Sequence, residues 1–377
     1  MKAAVLCFFA CLCASAWSAP SDPRFFQHAW TGCVPCLEED IASGMDINAR
    51  DANGDTALIT ALSRQHPDAA KWLIEHGADP RIGRFDGFMP AHYAARYPDL
   101  LKFVHARGGD IFARAQRGDT PLYAAVSYNN LRSILWLMEM GASPAEKDDK
   151  GRTALHVAAE FANSPRIVEE LGCIKDGRLD FINDPDNDGE TALMKAIRQG
   201  RPPLADALLA LGARVDIVNK AGRGLAHLAV ESGNPNVWGW VRQRDVDLDA
   251  RDKESLSPRE LAARSAATPL LSTLLTETAL DLRAPDGKSL LHHAVQGGRL
   301  ENVRLLLDRR PALINAADNA GDTAAMLAAK GGRLEMLQLL ATRSADLKRA
   351  NRLGATALSL AAAARQVQIV EWLSRQP

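Results

Sequence analysis

One pattern of hydrophobic and polar positions recurs along most of the chain, and each copy predicts two short helices behind a polar turn. The turn is rich in Asp, Asn and Gly, and a Thr or Ser slot after it opens an Ala-rich helix, as hydroxyl N-capping favours. A second helix follows with apolar residues at i, i+3 and i+4, such as Val303, Leu306 and Leu307. Gly77-Ala-Asp79 or a relative ends each copy, because Gly suits the left-handed end of a helix.

The copies follow one another at a nearly constant period. The slot falls at ten positions, which number repeats 1 to 10: Thr56, Met89, Thr120, Thr153, Thr191, Gly224, Ser257, Ser289, Thr323 and Thr356. Successive differences are 33, 31, 33, 38, 33, 33, 32, 34 and 33 residues. Such a period predicts a solenoid, in which each repeat buries its apolar faces against its neighbours. The 38-residue step indicates an insertion near residues 172–182.

The residues around the slot resemble the ankyrin repeat, whose signature is Thr-Pro-Leu-His-x-Ala at a 33-residue period. Examples are Gly118-Asp-Thr-Pro-Leu122, Gly151-Arg-Thr-Ala-Leu-His156 and Gly321-Asp-Thr-Ala-Ala325. The resemblance runs from about Asp46 to Pro377. It implies an all-α repeat fold, an ankyrin solenoid of about ten helix-turn-helix repeats with β-hairpin-like finger loops.

Two repeats depart from the signature. Gly224 stands in the slot of repeat 6, so we expect its first helix to lack a side-chain cap. Ser255 replaces the Gly of the turn in repeat 7, where we expect a distorted finger.

Two segments are predicted ahead of the repeat array of residues 48–377. Residues 1–16 have the form of a secretory signal peptide, with Lys2, an apolar run to Ala14 and an Ala14-x-Ala16 cleavage site. Cleavage up to residue 19 is the alternative, and the run is too short to span a bilayer. Residues 17–47 are predicted to cap the array, since they contain about half a repeat.

Composition and net charge exclude some classes of protein. Of 377 residues, 47% are apolar and 24% charged, with a net charge of −1, which excludes the electrostatic footprint of a dedicated nucleic-acid or anionic-membrane binder. No Asn-x-Ser/Thr acceptor occurs, which favours a bacterial export route. We therefore expect a periplasmic protein that is not embedded in the membrane, is monomeric on its own and uses no cofactor.

Cys33-Val-Pro-Cys36 is the sharpest chemical motif in the chain. In an oxidising compartment this spacing predicts a disulfide staple on the capping segment, contributing about 2 kcal/mol in the chain-entropy model. The alternative is a redox-active pair, although the βαβ pattern of thioredoxin-type proteins is absent. Cys173 is predicted to be a free, buried thiol.

Other motifs favour structure over catalysis. Asp184-Pro-Asp186-Asn-Asp188-Gly189 matches half of a calcium loop, but Lys195 stands where a bidentate Glu is needed, so an acidic finger is predicted and calcium is a weak alternative. The resemblance implies that His92, His156, His227 and His292 hydrogen-bond between turns. No metalloprotease, nucleophile-elbow or dinucleotide motif occurs, and we expect no enzyme activity.

The resemblance implies that a partner protein docks on the concave face made by finger tips and first helices. Carried over by position, this predicts the partner-binding residues Phe85, Phe88, Arg96, Tyr97, Arg114, Arg117, Tyr128 and Phe161. Aromatic and arginine side chains are typical of binding hot spots. The predicted function is a non-enzymatic periplasmic scaffold that sequesters, inhibits or tethers another protein, with an immunity or inhibitor role as one form. The competing hypothesis is a thiol-dependent redox or oxidative-stress protection factor using Cys33 and Cys36.

Overall fold

The computed structural model describes residues 22–173, 180–266, 268–275 and 280–376. These residues form 22 α-helices and one 3₁₀ helix, and their only β-type pairings are two isolated bridges, Arg50 with Thr56 and Ala317 with Thr323. The predicted all-α repeat fold is confirmed. The chain divides between Ala142 and Ser143 into two compact units, called here the first and the second unit.

The described part of the first unit contains eight helices. They are α1 (Pro23–Thr31), α2 (Val34–Ala42), α3 (Ala57–Ser63), α4 (Pro67–Glu75), α5 (Pro90–Ala94), α6 (Pro98–Ala106), α7 (Pro121–Ser127) and α8 (Leu131–Glu139). The first helices pack in series, α1 on α3, α3 on α5 and α5 on α7, and each also packs on the second helix of its own repeat. Helices α1 and α2 lie in the predicted capping segment, whose limits stay a prediction.

The second unit continues the same alternation. Its helices are α9 (Ala154–Phe161), α10 (Pro165–Gly172), α11 (Ala192–Arg198), α12 (Pro202–Ala210), α13 (Leu225–Ser232), α14 (Pro235–Arg242), α15 (Pro258–Arg264), α16 (Thr268–Leu274), α17 (Leu290–Gly297), α18 (Leu300–Arg309), the 3₁₀ helix Pro311–Asn315, α19 (Ala324–Lys330), α20 (Leu334–Thr342), α21 (Ala357–Ala363) and α22 (Val367–Ser374). The predicted insertion follows α10, and its residues 174–179 lie outside the described residues.

The slot residue begins each first helix as the sequence predicts. Thr56 Oγ1 accepts a hydrogen bond from the Ile59 amide at 3.3 Å, and Thr191 caps α11 in the same way. Gly224 provides no side-chain cap for α13, as expected. Thr56 and Thr191 thus each satisfy an amide that a helix start leaves without an intrahelical partner.

The motif histidines connect consecutive repeats. The Thr153 amide donates to His156 Nδ1 at 3.1 Å, and His156 Nε2 lies 2.9 Å from the Glu190 carbonyl of the next finger. His92, His227 and His292 make the corresponding contact to the next finger at 2.9–3.0 Å. The prediction that these histidines hydrogen-bond between turns is confirmed.

The finger of repeat 7 is regular, so the expected distortion at Ser255 is wrong. Ser255 adopts the left-handed conformation, with φ +62°, that Gly takes in the other fingers. Its amide donates to the Asp252 carbonyl at 2.9 Å, and the Asp252 amide donates to the Leu256 carbonyl at 3.0 Å. The turn is therefore retained at the steric cost of a side chain in left-handed backbone.

Replacing Ser255 with Gly should relieve that cost. We expect Ser255→Gly to raise the free energy of unfolding by about 0.5–1 kcal/mol, measured as a higher urea midpoint, because the steric gain exceeds the entropic cost of glycine. Gly354→Ser is the matched reverse change, since Gly354 has φ +75° and no atom lies within 4 Å of the place where a Cβ would be. It should lower the midpoint, and equal midpoints for both variants would contradict the explanation.

Candidate partner-binding surface

A cleft of about 500 Å³ opens on the first unit where the capping segment meets repeats 1 and 2. We call it the N-terminal pocket. It is lined by Pro23, Phe26, Gln27 and Trp30 of α1, by Asp51, Asn53 and Asp55 of the first finger, by Thr60, Ser63 and Arg64 at the end of α3, and by Arg84 and Tyr93. Its walls thus combine aromatic rings with charged groups, as ligand sites commonly do.

Arg84 organises the charged wall of the pocket. Its Nη1 donates to the Tyr93 hydroxyl at 3.2 Å, and its Nε lies 2.9 Å from Asp55 Oδ1 and 3.8 Å from Asp86 Oδ1. Burial raises the pKa of the Asp55 carboxyl above its usual range, and Arg84 only partly opposes that shift. Burial likewise raises the pKa of Tyr93.

Three arginines at the fingers and first-helix ends of the first unit stack on aromatic rings. The Arg64 guanidinium lies over Trp30, that of Arg96 lies 4.4 Å from the centroid of Tyr128, and that of Arg50 lies 5.4 Å from the centroid of Phe85. Trp30 is 45% exposed and Phe85 is 65% exposed. These stacks place large aromatic surfaces and guanidinium groups together in contact with solvent.

The structure distributes the predicted binding residues over different environments. Phe88 is half-buried against His92 and Tyr93, with ring centroids 5.1 and 6.1 Å away, and so packs beside the pocket. Tyr97 instead lines a groove between α4 and α6, together with Phe103. That groove lies between second helices, so Tyr97 contributes to a surface different from the one the position rule implied.

The remaining predicted residues divide between the two units. Tyr128 is half-buried beneath Arg96, and Arg114 and Arg117 are exposed on the third finger. Phe161 is 49% exposed but belongs to the second unit. The structure therefore brings Arg96 and Tyr128 together and places Phe88 next to the pocket.

Sequence reasoning missed the residues that build the pocket itself. Arg64 stands eight residues after its slot, the same offset as Tyr97 and Tyr128, so extending the position rule to repeat 1 finds it. Trp30 and Phe26 precede the first repeat and carry no periodic signal. Only the packing of α1 on α3 reveals them as part of this surface.

Finger and first-helix residues of repeats 4 to 7 form one ion-pair network in the second unit. Its members are Asp148, Arg152, Glu160, Asp186, Glu190, Lys195, Arg198, Arg223, Glu231, Asp252, Glu254 and Arg264. Arg152 lies 3.0 Å from Glu160, and Lys195 Nζ lies 3.9 Å from Glu160. The same ammonium lies 2.8 Å from Asp186 and 2.9 Å from Glu190.

The network continues into repeats 6 and 7. Arg198 bridges Glu190 and Glu231, with 3.1 Å to Glu231. Arg223 lies 2.6 Å from Glu231 and 2.9 Å from Asp252. The basic groups of this network therefore already have carboxylate partners.

The electrostatics of Lys195 show how strongly this network is coupled. Burial opposes its charge, but hydrogen bonds to Asp186 and Glu190 outweigh it and raise the pKa of Lys195. Burial likewise opposes ionisation of Asp186, yet its bond to Lys195 and backbone bonds lower its pKa. The charged forms are thus held by their partners inside a largely dry site.

The carboxylates of the repeat 5 finger are engaged within the protein, which gives the calcium alternative no support. Asp186 Oδ1 accepts the amides of Asp188 and Glu190, each at 2.9 Å, while Oδ2 faces Lys195. Asp184 lies 2.9 Å from Lys147 Nζ. Within the part of the chain that the structure describes, no group of three or more His, Cys, Asp or Glu side chains is arranged to hold a metal ion.

The two cysteines of the capping segment form a disulfide, with 5.3 Å between their Cα atoms. Cys33 is the residue before the first turn of α2, and both cysteines are half-buried. Cys173 is free, as predicted, but exposed, so the prediction that it is buried is wrong. It follows the last residue of α10 and therefore lies outside the packed helix face.

A further buried group in the second unit is His293 of α17. It is 4% exposed, and neither ring nitrogen has a hydrogen-bond partner among the described residues. Burial lowers its pKa to about 4, an effect that Glu260 and Asp286 oppose and that Lys288 and Arg264 reinforce. His293 therefore packs in its neutral form.

The repeat architecture agrees with comparisons to known proteins. The family model for ankyrin repeats in three copies matches residues 25–115, 91–180, 163–252, 259–351 and 310–376. The chain belongs to the ankyrin repeat family. Ankyrin repeat proteins are generally non-enzymatic binding scaffolds, so the family indicates a role in protein–protein interaction.

Individual relatives share the repeats rather than the whole protein. The chain is 27% identical over 359 residues to the human transient receptor potential cation channel subfamily A member 1, covering 80% of this chain and 31% of the channel. It is 25% identical over 341 residues to human Rabankyrin-5, covering 75% of this chain and 29% of that protein. The chain thus spans about a third of the length of these relatives.

A solved structure shows the same fold. The human ASB11 ankyrin repeat domain superposes with a TM-score of 0.50 at 20% identity, over 60% of this chain and 99% of that domain. Although one relative is a channel, none of the described helices has the length and apolarity required to cross a membrane.

Removing the central cation of the network should destabilise the second unit. We expect Lys195→Met to lower the free energy of unfolding by about 3 kcal/mol, because it leaves the buried carboxylates of Asp186 and Glu190 without their shared partner. Chemical denaturation followed by circular dichroism measures the change. The control is Arg214→Met, which removes an exposed pair with Asp216 and should have no measurable effect. Equal stabilities of the two variants would contradict a structural role for the network.

His293 should make stability depend on pH in a predictable direction. Its pKa is lower in the folded state than in the unfolded chain, so its contribution is complete above the unfolded value of 6.5 and is lost as the pH falls towards about 4. We expect the loss to reach about 3 kcal/mol at low pH. Urea unfolding at a series of pH values should show a shallower acid slope for His293→Leu. The exposed His76→Leu serves as control and should retain the parental slope.

Proposed function

We propose that this protein is an exported, periplasmic and non-enzymatic scaffold that binds another protein through the concave surface of its first unit. Binding would sequester, inhibit or tether that partner, as an immunity or inhibitor protein does. The observation that carries the proposal is the contrast between the two units. Finger and first-helix residues form Arg–aromatic stacks in the first unit and a closed ion-pair network in the second.

The first unit has the composition that binding interfaces favour. Trp, Tyr and Arg are the residue types that most often dominate binding energy, and they contribute most when a partner desolvates them. Trp30 and Phe85 remain largely exposed, and the pocket beside Trp30 offers a concave seat for a partner side chain. In the second unit, a partner would have to displace existing ion pairs before gaining comparable contacts.

The proposed compartment rests on the sequence. Residues 1–16, which carry the signal-peptide pattern, lie outside the described residues, and the periplasm follows from that pattern together with the Cys33–Cys36 disulfide. The names of the relatives denote a cation channel and Rabankyrin-5. Since the chain covers less than a third of either, their activities do not carry over to it.

The redox alternative has one observation in its favour. Cys33 lies at the start of α2, where amide groups without intrahelical partners stabilise a thiolate, and its sulfur is not fully buried. Against it, the disulfide fixes the first turn of α2 just after the turn that joins it to α1, on which α2 packs, as a structural staple does. We therefore favour the scaffold.

Affinity capture from the periplasm of source cells tests the proposal. The tagged mature protein should retain one near-stoichiometric partner, identified by mass spectrometry, and Trp30→Ala with Phe85→Ala should reduce capture about tenfold or more, as loss of hot-spot residues does. The matched control is Leu353→Ala, which removes an equally apolar side chain that is 90% exposed in the second unit.

Two outcomes would overturn the scaffold. The first is capture that Leu353→Ala reduces as much as the first-unit variant does. The second is recovery of mixed-disulfide adducts alone, absent with Cys33→Ala, which would establish the redox alternative. Thermal melts of all variants separate loss of binding from loss of folding.

A further inference from the structure

We infer that the segment recognised by the first unit is acidic: a stretch of the partner protein that alternates carboxylate side chains with apolar ones. This inference rests on the proposed function and specifies the chemistry of the partner. It concerns the arginine surface, defined as Arg50, Arg64, Arg84, Arg96, Arg114 and Arg117 at the finger tips and first-helix ends of repeats 1 to 3.

The carboxylates of the fingers beside this surface are largely engaged already. The finger turns of repeats 1 to 3 carry four aspartates: Asp51, Asp55, Asp86 and Asp119. Asp51 Oδ1 accepts the amides of Asn53 and Asp55, both at 2.8 Å. Asp55 and Asp86 share Arg84. Three of the four carboxylates are thus engaged within the fingers.

The stacked arginines, by contrast, have no carboxylate partner. Among the described residues, Arg50, Arg64 and Arg96 form no ion pair, and each guanidinium is instead held against an aromatic ring. Stacking uses the face of the planar group and leaves the N–H donors at its edge available. A guanidinium held in this way is pre-organised for bidentate binding of a carboxylate, because less side-chain freedom is lost on binding.

The aromatic rings beside these arginines determine which side chains are favoured between the acidic residues of the partner segment. Trp30 and Phe85 expose about half or more of their surface beside Arg64 and Arg50. A partner segment that places its acids on the guanidinium edges therefore brings its intervening residues onto aromatic surface, which favours apolar side chains there.

Other charged occupants fit less well. A basic segment would bring like charges onto Arg64 and Arg96. Nucleic acid would match the arginines, but the chain as a whole has a net charge of −1, so long-range attraction to a polyanion is absent. A short acidic protein segment can bind the guanidinium N–H donors of Arg50, Arg64 and Arg96. Such binding does not require the chain as a whole to be basic.

The second unit provides the internal comparison. Arg152, Arg198 and Arg223 each lie within 4 Å of carboxylates of the same unit. Two arginines outside the network, Arg310 and Arg343, are paired with Asp281 and Asp308. These five arginines therefore offer a partner fewer unmatched donors than the stacked arginines do.

Selection from a phage-displayed library of random dodecapeptides on the full mature protein tests the inference. Enriched peptides should be rich in Asp and Glu with interspersed aromatic or aliphatic residues. The leading peptide, made synthetically, should bind about tenfold or more weakly to Arg64→Gln with Arg96→Gln, and its affinity should fall as salt rises to about 0.3 M. Arg310→Gln with Arg343→Gln is the matched control and should bind like the parent protein.

The opposing results are equally defined. Enrichment of basic or uncharged peptides, absence of enrichment, or equal binding by both double variants would overturn the inference, and so would preferential binding of a single-stranded oligonucleotide. If the glutamine variant loses its thermal transition, Arg64→Lys with Arg96→Lys replaces it. That pair retains charge but lacks the planar fork, and should bind with intermediate affinity. Capture of a partner through a basic segment would overturn this inference while leaving the scaffold intact.

Discussion

The contact between consecutive first helices is the interaction on which the rest of the structure depends. A single repeat exposes the apolar faces of two short helices, and neither face is buried until the next repeat packs against it. The histidine bridges add a polar component, since His156 receives the slot amide of its own repeat and reaches the finger carbonyl of the next. Burial and hydrogen bonding are therefore both satisfied between repeats, and the position of every finger follows from that coupling.

The two units use their finger and first-helix side chains in opposite ways. Where Arg152 pairs with Glu160, Lys195 with Glu190 and Arg223 with Glu231, these side chains become part of the protein's own structure. Where Arg64 and Arg96 stack on rings instead, their hydrogen-bonding capacity remains unused. Because the backbone at these positions is repetitive, the difference lies in side-chain chemistry alone. Function in such a protein is thus determined by which surface positions are left without internal partners.

Sequence alone predicted the fold well because the period is a local property. Thr191 and Gly224 have the capping behaviour expected of their side chains, and the left-handed position of the fingers tolerates Ser255. The candidate site was predicted less well, since its chemistry arises from contacts between repeats. Trp30 precedes the periodic region and so has no repeat position. Tyr97 lies in the groove beside Phe103 rather than on the expected surface, because its position depends on how α4 and α6 pack. The ion-pair network was not predicted either, because its connections between repeats join side chains 29 to 35 residues apart, which leaves no local pattern.

The ion-pair network has a consequence for how this protein can evolve. Its central side chains each have two or three partners; Lys195, for example, lies near Glu160 of the preceding repeat and near Asp186 and Glu190 of its own. A substitution that removes one charge of the network leaves its buried partner without an ion pair. The tolerated changes are therefore those in which a second substitution compensates the first. Among homologous sequences, these positions should therefore covary across neighbouring repeats, whereas Arg50, Arg64 and Arg96 are free to drift or to track a changing partner one at a time. The second unit would accumulate coordinated substitutions, and the first would diversify.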